Sequence, residues 1–337
     1  MARGPMESSS GNGRRPMALH RLIGCFIAML MSAPAWAQEI KVTLLGTGAP
    51  IPLMDRQGPA TLIEAGGKRL LFDAGRGVSQ RLWQLKKPLS SIDAVFLTHL
   101  HSDHLVGLPD LWLTGWLQPE YGRRQRQLRL IGPQKTSLLA QSLKAGFAPD
   151  IAYRSEKEGL PPAGIDFNVT EIREVGAVFE EAGVRVTAFE VDHGVVKPAY
   201  GYRIDFAGKS VVISGDTTFT PALVEQARGV DLLVHEIVAA APALRRTAFV
   251  QRQFEYHSSP QSVARTLNQV APKAAVLTHF VLLGNAANPP PTPDAAAAEV
   301  RAEGYDGPLV TGVDLMEITV GAGMTIQEPT PQSTLRQ

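Results

Sequence analysis

Three histidines and an aspartate fall within six residues, in Thr98-His99-Leu100-His101-Ser102-Asp103-His104, directly after the apolar run Ala94-Val95-Phe96-Leu97. In extended chain His99 and His101 point the same way, as residues two apart do on a strand. A turn after Ser102 then brings Asp103 and His104 to the same region. Neutral imidazole and carboxylate are the ligands that zinc takes when no thiolate is on offer. The stretch is therefore read as half of a metal site at the end of a strand. An exposed polar loop is a poor account of so many imidazoles in one turn.

The same arrangement recurs. Residues 184–191 alternate like a strand and run into Asp192-His193-Gly194; Ser210–Ile213 runs into Ser214-Gly215-Asp216-Thr217; Ala274–Leu277 runs into Thr278-His279. Ligand sites of α/β sheets gather at the carboxyl ends of strands, so four strand ends can bring His99, His101, Asp103, His104, His193, Asp216 and His279 together. Seven ligands exceed one tetrahedral zinc and suit two metals sharing an Asp. Further strands are expected at Glu39–Leu45, Ala60–Glu64, Arg69–Phe72, Gln127–Ile131, 199–206, 231–235 and 314–319. Helices are expected at Gly77–Leu85, Thr136–Ala145, 220–228, 260–270 and 293–303. Two α/β halves, split near 155–170, predict two packed sheets with helices outside, an αβ/βα four-layer sandwich.

With these residues goes a resemblance. Leu45-Gly46-Thr47-Gly48-Ala49-Pro50, Leu71-Phe72-Asp73-Ala74-Gly75, the H-x-H-x-D-H stretch, Asp192-His193-Gly194, Ser214-Gly215-Asp216-Thr217, His235-Glu236, His257-Ser258-Ser259 and Thr278-His279 together resemble a metallo-β-lactamase-fold hydrolase of the ribonuclease Z and bacterial arylsulfatase branch. The resemblance implies two zinc ions, with manganese or iron(II) as alternatives in one position. His99, His101 and His193 would hold one ion, Asp103, His104 and His279 the other, and Asp216 would bridge them. Di-iron redox relatives carry Glu where His101 stands, so its imidazole favours hydrolysis. Asp103 is the expected ligand that also orients a metal-bridging hydroxide, and His257 the expected proton donor to the leaving group. Asp73, His235 and Glu236 are expected to support the ligands. Trp112 and Trp116, four apart and so on one helix face, read first as core packing and second as an aromatic pocket wall, with 239–256 and 282–293 as loops beside it.

Ribonuclease Z relatives that mature transfer RNA carry a long arm between the positions matching His193 and Asp216. Only residues 194–215 lie between them here. This, together with charge and export, disfavours transfer RNA and favours a small-molecule ester, an aryl sulfate or phosphodiester. The alternatives are a lactone, a ribonuclease Z-type phosphodiester, or a non-catalytic metal-binding scaffold. The sequence leaves the oligomeric state open.

The export reading rests on residues 1–37. Arg14, Arg15 and Arg21 precede the apolar stretch Leu22–Met31, and Ala35-Trp36-Ala37 offers small-x-small cleavage before Gln38. The stretch is short of the ~20 apolar residues that span a membrane, so stable insertion is not expected. A periplasmic destination is expected, with acylation of Cys25 as the lesser alternative. Cleavage would remove the chain's one cysteine, four Arg and one Glu, taking the formal charge from +1 to −2. Residues 38–325 are then the hydrolase domain and 326–337 a flexible tail. The run Arg123, Arg124, Arg126 and Arg129 reads as a solvated loop rather than a nucleic-acid patch.

Overall fold

Period-2 alternation sorts the apolar residues onto two faces of each strand and so dictates the layering. In Lys68–Phe72, Leu70 and Phe72 enter the core between the sheets while Leu71 packs against outer helices. In Lys209–Ile213, Val211 and Ile213 turn inward and Val212 outward. The computed structural model describes Met1 and residues 38–329. The expected leader, with Cys25, lies outside the described residues, as do residues 330–337 of the expected tail.

The first sheet has eight strands: β1 Ile40–Gly46, β2 Ala60–Ala65, β3 Lys68–Phe72, β4 Ala94–Phe96, β5 Leu128–Gly132, β6 Phe167–Glu171, β14 Glu317–Val320 and β15 Met324–Gln327, ordered β15-β14-β1-β2-β3-β4-β5-β6. The second has seven: β7 Gly176–Glu181, β8 Val184–Glu190, β9 Tyr200–Phe206, β10 Lys209–Ile213, β11 Leu232–Ala240, β12 Ala274–Leu283 and β13 Leu309–Thr311, ordered β13-β12-β11-β10-β9-β8-β7. Strands β3 to β6 run parallel, as do β10 to β13. The faces that meet are filled by Val42, Ile63, Phe96, Tyr202, Ile204 and Val276 among others. Outside the first sheet lie helices α1 Val78–Gln84, α2 Leu108–Thr114, α3 Thr136–Gly146 and α4 Ala148–Lys157; the second half carries α5 Pro221–Ala227, α6 Ala248–Phe254, α7 Pro260–Val270 and α8 Pro293–Ala302. Helix α7 starts where its sequence says: Ser259 Oγ accepts from Ser262 N, Pro260 opens the first turn, and Val263, Leu267 and Val270 turn toward the sheet. The expected α/β four-layer architecture is the observed one.

Several expectations are corrected. The halves meet at 172–175, between β6 and β7, not at 155–170, because two strands occupy sequence that carries no clean alternation. Strands β11 and β12 run on to Ala240 and Leu283, well past the predicted ends. The segment after β11 holds α6, and β15 draws Ile326 and Gln327 into pairing with Ile318 and Glu317, so neither belongs to a tail. Trp112 and Trp116 are buried behind the first sheet, their indole N–H groups donating to Ile165 O (2.9 Å) and Pro161 O (2.8 Å); they are core, not a pocket wall. Arg124 is buried too, donating to Gly164 O and Trp112 O, so the basic run is not one solvated loop. Among the described residues no helix is long and apolar enough to cross a membrane.

Candidate metal centre

Each half of the chain supplies ligands, most of them from turns that follow strands. From the first sheet, β4 delivers Thr98 and His99, and a 3-10 turn over Ser102–His104 buries Asp103 and His104. From the second, the turn after β8 carries His193 and the turn after β10 carries Asp216. Gly215 precedes it at φ +61, where a Cβ would lie 2.6 Å from Tyr200 O. His279 arrives differently. It is the extra residue of a bulge within β12: Thr278 pairs with Glu236 and Phe280 with Ile237, leaving His279 unpaired at φ +45. The bulge re-aims a side chain in mid-strand, which explains why the sequence reading ended the strand there.

All seven predicted ligands converge. One ligand atom each from His99, His101, His193 and Asp216 lie within 4.8 Å of one another, as do those of Asp103, His104 and His279. Asp216 Oδ2 stands between the groups, 3.9 Å from His99 Nε2 and His193 Nε2, 3.4 Å from His104 Nε2 and 3.5 Å from His279 Nε2. The tautomers are fixed from outside. His104 Nδ1 donates to Asp73 Oδ2 (2.7 Å), and His193 Nδ1 donates to Tyr256 O (2.7 Å). Their Nε2 lone pairs then face other imidazole nitrogens at 3.2 Å, His279 Nε2 and His101 Nδ1 respectively. Buried His99 Nε2 has no hydrogen-bond partner. Facing lone pairs and an orphaned nitrogen, with carboxylates beside them, are the donor set of a divalent cation.

The electrostatics agree. Burial, with the neighbouring imidazoles, holds His99 well below the usual histidine range and lowers His101; burial also lowers His193, which favours the neutral, ligating form. Burial works against charge on Asp216, but His279 and His104 outweigh it and keep the carboxyl ionised. Burial also works against His104, yet Asp216 and Asp73 raise it well above its ordinary value. Negative charge that draws a proton onto His104 draws a divalent cation more strongly.

Of the expected supporting residues, Asp73 and Glu236 stand beside the cluster and His235 does not. Asp73, at φ +59, accepts from Thr98 N and Thr98 Oγ1 as well as from His104. Glu236 Oε1 accepts from Thr217 N, Ser258 N and His257 Nδ1, the last at 3.2 Å. His235 shares the helix-facing side of β11 with Leu233; it is buried, and its Nε2 has no partner. Alternation along the strand puts it on the wrong face to orient a ligand. His257 lies 3.8 Å from Asp216 Oδ2. Burial lowers its pKa, but the Glu236 carboxylate and then Asp216 overcome this and raise it to about 9. Sequence reasoning missed Thr98, which braces Asp73, and the carbonyl of Tyr256.

Residues 68–280 match the family described as the beta-lactamase superfamily domain. The chain belongs to the metallo-beta-lactamase superfamily. Over 246 residues it is 38% identical to the ribonuclease Z of Mycobacterium marinum, covering 72% of this chain and 86% of that one. Its fold is similar to that of the metallo-beta-lactamase fold protein YhfI from Bacillus subtilis (TM-score 0.64, 18% identity, 83% of this chain and 99% of that one). It is similar also to human tRNase Z, short form (TM-score 0.59, 24% identity, 83% and 99%). The chain is thus a metal-dependent hydrolase of ester bonds. The ribonuclease Z relatives overturn the expectation of a small-molecule ester partner with transfer RNA disfavoured, and lend no support to an aryl sulfate. Besides export, that expectation leaned on net charge and on the missing arm. The segment between His193 and Asp216 is indeed only a turn and the β9–β10 hairpin. Neither feature bears on the bond that the cluster cleaves.

Proposed function

We propose that the protein is a ribonuclease Z-type phosphodiesterase that cleaves RNA, with transfer-RNA precursors as the substrate class. The observation that carries this reading is His257, held on Glu236 at 3.2 Å and standing 3.8 Å from Asp216. An aryl sulfate or nitrophenyl ester departs unaided, whereas a ribose oxygen is a poor leaving group and needs a proton. A protonated imidazole beside a metal-binding cluster suits the second case. The identity to ribonuclease Z supports the same choice.

Zinc at two positions fits the donors best: His99, His101 and His193 on one side, Asp103, His104 and His279 on the other, Asp216 between. Bound there, the ions would neutralise phosphoryl oxygens and lower the pKa of water. The chain's own residues do the rest. Asp103 accepts a hydrogen bond from the attacking water and takes the proton that the water gives up. The new P–O bond forms as the P–O bond to ribose breaks, and the ribose oxygen takes the proton of His257. Glu236 favours the charged imidazole before the step, and a proton from solvent restores it afterwards. The test is incubation of a 3′-extended transfer-RNA precursor with the purified protein, with and without chelator. A discrete, chelator-sensitive cut is expected. Turnover of p-nitrophenyl sulfate or bis-p-nitrophenyl phosphate without any cut in RNA would refute the reading.

A further inference from the structure

Between α1 and α2 lies an open groove of about 470 Å³, outside the metal centre. Ser79, Gln80, Trp83, Gln84, Asp110 and Tyr121 line it. Both aromatic side chains are unusually exposed, Trp83 at 52% and Tyr121 at 37%, with ring centroids 5.6 Å apart and planes tilted by 53°. Of the tryptophans among the described residues, Trp83 alone is exposed. The floor carries unspent hydrogen-bonding capacity. Ser79 is buried and its hydroxyl has no partner. Among the described residues the Asp110 carboxylate accepts only from Thr114 Oγ1, through Oδ1 (2.8 Å), and Gln84 is engaged at its oxygen by Arg81.

We propose that this groove binds an unpaired nucleobase of the RNA substrate, guanine in particular. The inference rests on the phosphodiesterase reading above and adds a second contact to it. Exposed aromatic faces are what bases stack on. A carboxylate beside them accepts from N–H groups on a base edge, and guanine offers N1–H and its amino group side by side. The Gln84 amide nitrogen supplies a further polar partner. Location favours the same occupant. Helix α1 begins five residues after Asp73 and α2 four residues after His104, so both walls spring from the loops that build the metal centre. Exposed Arg76 and Lys86, one before α1 and one after it, supply charge for neighbouring phosphates.

The experiment uses the full enzyme and three variants, Trp83→Leu, Tyr121→Leu and Asp110→Asn. Guanosine monophosphate is expected to quench tryptophan emission saturably in the native protein and not in Trp83→Leu. Asp110→Asn is expected to weaken that binding about tenfold. In RNA cleavage, loss of either aromatic residue is expected to raise KM about tenfold with kcat little changed. Turnover of bis-p-nitrophenyl phosphate, too small to reach the groove, stays as in the native enzyme. Absence of quenching by any nucleotide overturns the proposal, as does quenching by tetramethylammonium instead. A change of oligomeric state in Trp83→Leu, seen by light scattering, also overturns it by making the groove a contact between copies. If the native enzyme cuts no RNA at all, the phosphodiesterase reading fails, and nucleotide titration still decides the groove on its own.

Discussion

Asp216 Oδ2 stands within 3.9 Å of a nitrogen from each of five histidines, four of them predicted ligands, so one substitution reaches both halves of the cluster. Asp216→Ala is expected to lose metal from both positions, read by elemental analysis; a native-like ion content in the variant would contradict a shared carboxylate. His257→Ala separates metal binding from proton transfer. The variant is expected to keep its metal while RNA cleavage falls by about 10²–10⁴-fold. Cleavage of bis-p-nitrophenyl phosphate should fall far less, because p-nitrophenolate departs unprotonated. Equal losses on both substrates, or loss of metal, would remove His257 from its role as acid. At this scale the site was largely legible. Its ligands must be imidazole or carboxylate, and such residues stand out as His99, His193 or His279 among apolar neighbours. The Tyr256 carbonyl and the Thr217 and Ser258 amides were not legible, since every residue owns a backbone and geometry alone selects these. His235 was misjudged because its neighbour Glu236 takes the face that matters.

Strands were legible where one face is buried against a sheet and the other against helices. Strand β10, Lys209–Ile213, reads from its apolar run alone. Edge strands hide. Strand β6 spells Phe-Asn-Val-Thr-Glu, with no fully buried residue, and three-residue β13 is partly buried throughout, so neither needed a recognisable pattern. Strand β2 carries a prediction about pH. Glu64 accepts from Lys87 Nζ (2.7 Å) and Arg69 Nε (2.9 Å). Burial raises its pKa, but the two cations more than offset this and lower it. A carboxylate with a lowered folded pKa adds stability above its unfolded value of about 4.3 and loses it as pH falls through the folded value. Glu64→Gln should therefore be less stable than the native protein at pH 7, and the gap in Tm should close on acidification below about 4. A gap that persists unchanged into acid would assign the loss to packing instead.

For the whole molecule, export remains a proposal. We expect the mature chain to begin at Gln38 and to sit in the periplasmic fraction, read by N-terminal sequencing of the fractionated protein; a full-length cytoplasmic chain would refute it. A chain confined to the periplasm would not meet cytoplasmic transfer-RNA precursors, so that outcome would narrow the proposed substrate to other RNA. The division of ligands between the sheets has one more consequence. His99 and His101 need His193 from across the seam, and Asp103 and His104 need His279. Neither half owns a complete set for either ion. Metal thus acts as a rivet through both plates, and its arrival reports that they have met. A chain still waiting for its second half to dock holds every catalytic residue but no chemistry, which spares the cell a half-built hydrolase.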